Sequence, residues 1–117
     1  MESATASPTY ELFARAMAER KQVLCSYNGR RRVLCPVVLG HRDGREVALT
    51  FQVAGESRTD LPRGGNWRCL ELAKVRNARL RDGPWHVGSS HRRPQTCVDI
   101  VDLDVRPSSP YRPRRRL

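Results

Sequence analysis

Residues 22–39, with the sequence QVLCSYNGRRRVLCPVVL, decide the fold. In the first six residues every second side chain, beginning with Val23, falls on one face, which is the spacing of a strand. The Asn-Gly pair that follows suits the two positive φ angles of a type I′ turn, so the segment predicts a hairpin of Gln22–Tyr27 and Arg30–Leu39. Pro36 cannot donate a hydrogen bond to a neighbouring strand, and we therefore expect it at an edge or a bulge.

Further strands are expected after this hairpin. Glu46 to Val53 alternates, with Glu46, Ala48, Thr50 and Gln52 on the polar face of a half-buried strand. The rest of the chain offers a turn at Arg42-Asp43-Gly44, a loop at Ala54–Asn66, a strand at Trp67–Leu72, a continuation or a short turn at Val75–Leu80, and a last strand at Val98–Val105. No second helix is available for crossovers, so the sequence predicts a mainly β protein, a small antiparallel barrel of the SH3 or Sm kind with one N-terminal helix.

That helix is expected over residues 9–20, with Thr9 as its cap. Its apolar side chains recur at helical spacing and should pack on the barrel: Leu12, Phe13, Ala16 and Met17. One helix of this length cannot form a helix-turn-helix unit. Residues 1–8 and 106–117 are small, polar or rich in Pro and Arg, and we expect them to be disordered on either side of a domain at 9–105.

The chain is strongly basic, with a formal charge of +10. All but Lys21 and Lys74 of its 22 cationic residues are Arg, whose planar fork suits phosphate. Residues 106–117 contribute five of these arginines and no acid. Genome composition and solubility can also produce such a charge, but we favour a nucleotide or nucleic acid as the partner.

The four cysteines, Cys25, Cys35, Cys69 and Cys97, form no close pair of the kind that zinc sites use. Each lies among apolar neighbours, so we expect reduced thiols in or near the core and no metal. No apolar run approaches the ~20 residues of a membrane span, and the N-terminal residues do not resemble a signal peptide. A cytoplasmic protein that does not contact membranes is therefore expected.

The sequence contains no recognisable catalytic set. His41, His86 and His91 fall in turns or loops, and no serine lies in a nucleophile elbow or precedes a phosphate-binding lysine. The three aspartates of residues 99–104 alternate between strand faces, which favours a solvated face or pairing with Arg over Mg²⁺ binding. We expect a protein that is not an enzyme and has no cofactor.

Arg68 shares its expected strand face with Leu70, so its charge needs a partner. One possibility is an acid such as Glu46 or Glu71, and the other is a ligand phosphate held in a bidentate fork. The neighbouring Trp67 either stacks on a base or packs in the core. The sequence leaves both pairs of alternatives open.

Several segments, taken in order, resemble a WYL domain, and the similarity covers about residues 11–103. They are Tyr27-Asn28-Gly29 with Arg32-Val33 and Pro36, then Leu39-Gly40, Phe51-Gln52, Gly55-Glu56-Ser57, and Trp67-Arg68 with Leu70, Leu72, Lys74 and Val75. Where the family has its name-giving Trp-Tyr-Leu, this chain reads Arg45-Glu46-Val47-Ala48-Leu49. The resemblance implies a small β-barrel that serves as a sensory module in bacterial transcription regulators and defence-system repressors. There it binds a nucleotide-like or oligonucleotide ligand through basic and polar barrel residues.

We therefore expect a ligand-binding module in which Arg32 and Arg68 contact phosphate and Tyr27 or Trp67 stacks on a base. The candidate ligand-binding residues are Tyr27, Arg30, Arg32, His41, Gln52, Ser57, Trp67 and Arg68. The winged helix-turn-helix that precedes the domain in larger relatives is missing, so we expect the chain to act alone, with a DNA-binding partner protein, or as an adaptor. The alternative is a protein-protein interaction or homodimerisation module without a nucleic-acid ligand.

Overall fold

The computed structural model describes residues 6–55, 66–85, 98, 100–105 and 115–116. These residues form a mainly β fold with one N-terminal α-helix and an antiparallel sheet, as the sequence predicts. The elements are α1 (Pro8–Glu19), β1 (Gln22–Tyr27), β2 (Arg30–Arg42), β3 (Arg45–Gly55), β4 (Asn66–Glu71), a 3₁₀ turn (Leu72–Lys74), β5 (Val75–Arg81), β6 (Ile100–Asp104) and β7 (Arg115–Arg116).

Strand β2 is the centre of the sheet. Strand β3 pairs with one edge of β2 along most of its length, while β1 pairs with the first part of the other edge and β6 with the last part. Strand β4 lies outside β3 and β5 lies outside β1, which gives the order β4-β3-β2-β1-β5. Within the described part of the chain β4 and β5 do not pair, so the sheet is open rather than the closed barrel expected from the sequence.

The predicted hairpin at Asn28-Gly29 is confirmed. Both turn residues have positive φ, 52° at Asn28 and 75° at Gly29, which a type I′ turn requires. The second turn has the same backbone conformation, since Asp43 and Gly44 have φ of 51° and 76°. Pairing therefore continues up to this turn, and β2 runs to Arg42 rather than ending at residue 39.

Pro36 lies at a bulge, as predicted. The register of β2 against β3 shifts between Pro36 and Val38. Pairing of β2 with β1 ends at Leu34, and its pairing with β6 begins at Val38. The proline thus falls where β2 has no partner on that edge, so its missing N–H interrupts neither pair of strands.

Helix α1 begins one residue earlier than the sequence predicts, and the predicted cap at Thr9 is wrong. The N-cap is Ser7, whose Oγ accepts a hydrogen bond from the backbone N–H of Tyr10 at 3.0 Å. Pro8 occupies the first helical position, where a residue without an N–H is tolerated. The Ser7 N–H also donates to the Glu46 carboxylate at 3.0 Å, so the start of the helix is attached to β3.

The core lies between α1 and one face of the sheet. Phe13, Ala16 and Met17 are fully buried and Leu12 is partly buried against it, which confirms the predicted packing. The polar residues of β3 are a correction to the sequence analysis, because Thr50 and Gln52 are fully buried instead of facing solvent. Strand β3 is covered on both faces, so the alternation of polar and apolar residues in its sequence does not correspond to a solvent-exposed face.

The end of the chain also differs in detail from the expectations. Strand β5 is a separate strand that pairs with β1, so Val75–Leu80 is neither a continuation of the preceding strand nor a short turn, and both expected alternatives are wrong. Asp104 on β6 is fully buried and not on a solvated face, whereas Asp99 lies outside the described residues. Most of the two terminal segments that were expected to be disordered, residues 1–8 and 106–117, also lies outside the described residues. Arg115–Arg116 forms a short strand parallel to β6.

The cysteines divide into two kinds. Cys25 and Cys35 are buried and form no disulfide, as expected. Cys69 is exposed and disulfide-bonded, so the expectation of a buried, reduced thiol is wrong there. Cys97 lies outside the described residues. In the described part of the chain no helix is long and apolar enough to span a membrane, and no cluster of three metal-ligating side chains occurs.

Gly40 tests the packing of β2 against β6. A Cβ at this position would lie inside the contact distance of the Ile100 carbonyl oxygen. We expect Gly40→Ala to lower the free energy of unfolding by about 3 kcal/mol, because only a shift of the β6 backbone relieves the clash. Chemical denaturation measures the loss. Gly44→Asn is the control, since the space around Gly44 is open and Asn tolerates its positive φ. Equal stability of the two variants would contradict this packing.

Candidate anion-binding site

Three polar side chains meet on the inner face of the sheet. Arg32 lies on β2, Gln52 on β3 and Arg68 on β4. The register pairs Gln52 with Leu34, and alternation places Arg32 and Arg68 on the face that also carries the core residues Leu34 and Leu70. Two cationic groups are therefore directed towards the interior of the fold.

The two guanidinium groups share one oxygen atom. Arg32 Nη1 donates to Gln52 Oε1 at 3.0 Å, and Arg68 Nε donates to the same oxygen at 3.1 Å. Gln52 is fully buried, and its Nε2 donates to the carbonyl of Ala54 at 3.1 Å, which fixes the orientation of the amide. Two positive charges thus converge on an acceptor that carries no charge.

No carboxylate neutralises this pair within the described part of the chain. Neither Arg32 nor Arg68 forms an ion pair there. The acids considered for Arg68 are engaged elsewhere, because Glu46 accepts from Ser7 and Glu71 pairs with two lysine or arginine side chains. Arg32 Nε and Arg68 Nη2 are buried without a hydrogen-bond partner among the described residues, and a buried unpaired donor is costly.

The surroundings of Arg32 disfavour its charge. Burial lowers the pKa of the Arg32 guanidinium below its ordinary value, and repulsion from Arg68 lowers that pKa further. Cys25 lies opposite Arg32 on β1, but burial raises the pKa of the Cys25 thiol to about 11, so it is neutral at physiological pH. An anion that entered would stabilise both arginines, since it would supply the missing charge and acceptors.

Tyr27 holds Arg32 in place. The guanidinium carbon of Arg32 lies 5.5 Å from the centroid of the Tyr27 ring, a cation–π contact. The Tyr27 hydroxyl accepts a hydrogen bond from the Glu71 N–H at 3.0 Å, which fixes the ring. Because Tyr27 is buried and faces Arg32, it positions the cation rather than offering an open surface to a base. Arg30 adds positive potential, since its charge also lowers the pKa of Arg32.

Other predicted site residues lie away from this pair. His41 is near the far end of β2, where its Nδ1 is 3.0 Å from the Asp102 carboxylate and its ring stacks on Tyr10. Trp67 is on the opposite face of β4 from Arg68 and packs edge-on against Phe51, with ring centroids 5.4 Å apart. This contact agrees with the packing alternative for Trp67, and stacking on a base stays a prediction. Ser57 lies outside the described residues.

Comparison with protein-family models, curated proteins and solved structures finds no match for this chain. The resemblance to the WYL domain therefore stays a prediction from the sequence. Of the residues that it nominated, the structure brings Tyr27, Arg32, Gln52 and Arg68 together. Gln52 is a candidate from the sequence, but its burial and its contact with both arginines do not follow from strand alternation, which assigns it to a polar outer face.

Gln52 should contribute more to stability than an ordinary buried amide. We expect Gln52→Leu to lower the free energy of unfolding by about 3 kcal/mol, because it removes the acceptor of two charged donors. Gln22→Leu is the control, since Gln22 is also buried but donates one neutral hydrogen bond, to the Pro84 carbonyl, and its Oε1 accepts none among the described residues. The free energy of unfolding of Gln22→Leu should fall by about 1 kcal/mol. Chemical denaturation compares the variants, and losses of equal size would show that the shared contact has no special weight.

Proposed function

We propose that this protein is a non-enzymatic module that binds a nucleotide or a short single-stranded nucleic acid. The observation that supports it is the pair formed by the buried Arg32 and the partly buried Arg68, which shares the neutral oxygen of Gln52 and has no described carboxylate as a partner. An electrostatically unbalanced pair of this kind costs stability in the empty protein. Binding of an anion would offset this cost and would explain why the protein has two arginines at this place.

Phosphate is the anion that best fits the available donors. Arg32 Nε and Arg68 Nη2 are buried and have no hydrogen-bond partner among the described residues, and one phosphate group that reached them could accept from both guanidinium groups at once. Charge-assisted bonds to a desolvated phosphate are stronger than those between neutral groups. The excess of Arg over acid in the whole chain favours a ligand that is itself anionic, such as a nucleotide.

The WYL-like sequence segments extend this proposal to a regulatory role. A ligand-sensing module of that family would report the presence of its ligand to a DNA-binding partner protein, and a second copy of the chain is another possible partner. Such a regulator would act in the cytoplasm. Disulfides are rare in the cytoplasm, so the disulfide at Cys69 favours an oxidising compartment instead.

The alternative is an interaction or dimerisation module, and the open sheet favours it. Strands β4 and β5 each have an edge without a partner among the described strands, and such edges can pair with another chain. Ionic strength separates the two functions. Affinity for nucleic acid falls steeply as salt rises because counterions are released on binding, whereas an apolar protein interface responds weakly.

Arg68 gives the sharpest test. We expect Arg68→Ala to weaken binding of a fluorescently labelled short oligothymidylate and of ATP by roughly ten- to a hundredfold, because one charged hydrogen bond is worth that much. Arg68→Lys should recover only part of the affinity, since a point charge lacks the fork. Fluorescence anisotropy and calorimetry at low and physiological salt measure the effect.

Arg42→Ala is the control, because it removes the same charge from an exposed position at the far end of β2. It should leave binding nearly unchanged. Thermal melting of each variant completes the experiment, and Arg68→Ala should melt close to the parent since it also relieves repulsion with Arg32. Intact binding combined with a large fall in melting temperature would overturn the proposal and make Arg68 a structural residue.

A further inference from the structure

A bulge places three exposed arginines on one face of β5. Ser26 of β1 pairs with Arg76, whereas Leu24 pairs with Arg79, so two residues of β1 span three of β5. In a regular strand, positions three apart face opposite sides, but the extra residue returns Arg79 to the side of Arg76. Arg81 follows two residues later on the same side, and all three side chains are exposed.

The same sheet face carries a basic cleft of about 550 Å³. Arg79 and Arg81 line one side of it, and Arg31 and Arg32 of β2 line the other. The guanidinium of Arg32 itself contacts Gln52 and the Tyr27 ring on the inner face. Leu24 and Val33, both partly buried, also line the cleft between these strands. The cleft thus combines cationic sides with an apolar floor, a combination that suits a polyanion with an apolar part.

The charges on β5 are not balanced by acids of the described residues. Arg76, Arg79 and Arg81 form no ion pair there. The neighbouring Asp82 pairs instead with Lys21 at 3.3 Å. Arg76 donates to backbone carbonyls at the start of β5, which holds its guanidinium beside the strand. A row of like charges without acids is a surface that attracts an anionic chain.

We propose that this outer face of β2, β1 and β5 binds the phosphodiester backbone of single-stranded nucleic acid. It is a second site, which adjoins the inner pair at Arg32. Arg31 and Arg32 are adjacent on β2, and alternation places their side chains on opposite faces. Both residues line the cleft, but the guanidinium of Arg32 is directed to the inner face, where it contacts Gln52. Binding at the outer face does not require the proposed function of Arg32 and Arg68.

The spacing of the arginines supports an extended strand as the ligand. Two residues of a β-strand advance by about 7 Å, which is comparable to the distance between successive phosphates of a stretched single strand. Arg76, Arg79 and Arg81 each lie one such step apart along β1 and β5. The described residues of this face present no helix or ribbon that would enter a duplex groove, and contacts to phosphate alone carry no sequence information. The site should therefore bind single strands of any sequence.

The double variant Arg79→Ala/Arg81→Ala tests this site. We expect its affinity for a long labelled oligothymidylate at low salt to fall roughly tenfold or more, as two charged contacts are lost. The slope of log affinity against log salt should become shallower by about 1.4, since each lost phosphate contact contributes about 0.7. Arg79→Lys/Arg81→Lys should keep the slope, because counterion release depends on charge.

Arg42→Ala/Arg45→Ala is the matched control, with the same loss of charge at the exposed turn between β2 and β3. It should keep both the affinity and the slope. If the control loses as much as the β5 variant, or if neither variant changes the slope, the outer site does not exist. Circular dichroism confirms folding, which should be unaffected because Arg79 and Arg81 are exposed.

The two proposals fail in different ways. ATP is too short to follow β5, so the β5 double variant should bind ATP like the parent, whereas Arg68→Ala should not. Loss of ATP binding in the β5 variant would mean that the sites are not separate and would overturn this inference. A normal ATP affinity in Arg68→Ala would overturn the proposed function alone and leave the outer site standing.

Discussion

Two cations that share one neutral oxygen set the chemistry of the inner face. Arg32 and Arg68 approach each other only because Gln52 lies between them, held by its own bond to the Ala54 carbonyl. Repulsion and burial both act against this arrangement, and nothing acidic among the described residues offsets them. The binding proposal depends on this imbalance, because an anion would remove it.

The fold makes that contact possible through the length of β2. This strand pairs with β3 on one edge and changes partner from β1 to β6 on the other, with Pro36 at the change. Its first half brings Arg32 beside β3, while its second half anchors β6. Burial of β3 on both faces then forces Gln52 to find its partners inside the protein. The same β1–β2–β5 layer carries the outer arginines, which the inner pair adjoins at Arg32.

Local signals in the sequence were enough for the hairpin and the helix. Asn28 and Gly29 suit the turn by their tolerance of positive φ, and Pro36 marks the bulge by its missing donor. Local signals could not predict the burial of Gln52, because that burial depends on residues distant in the sequence that pack on β3. The position of the three arginines on β5 was also beyond them, since a bulge changes the face of every residue that follows.

Nitrogen-15 NMR of the arginine side chains tests the central claim most directly. With each Nε–H resonance assigned by substitution, the protein would be titrated with ATP and with sodium chloride of equal ionic strength. The account predicts saturable shifts at Arg32 and Arg68 with ATP and only small, non-saturating changes at Arg42. Shifts of the same size at all three arginines, or none at Arg32 and Arg68, would contradict it.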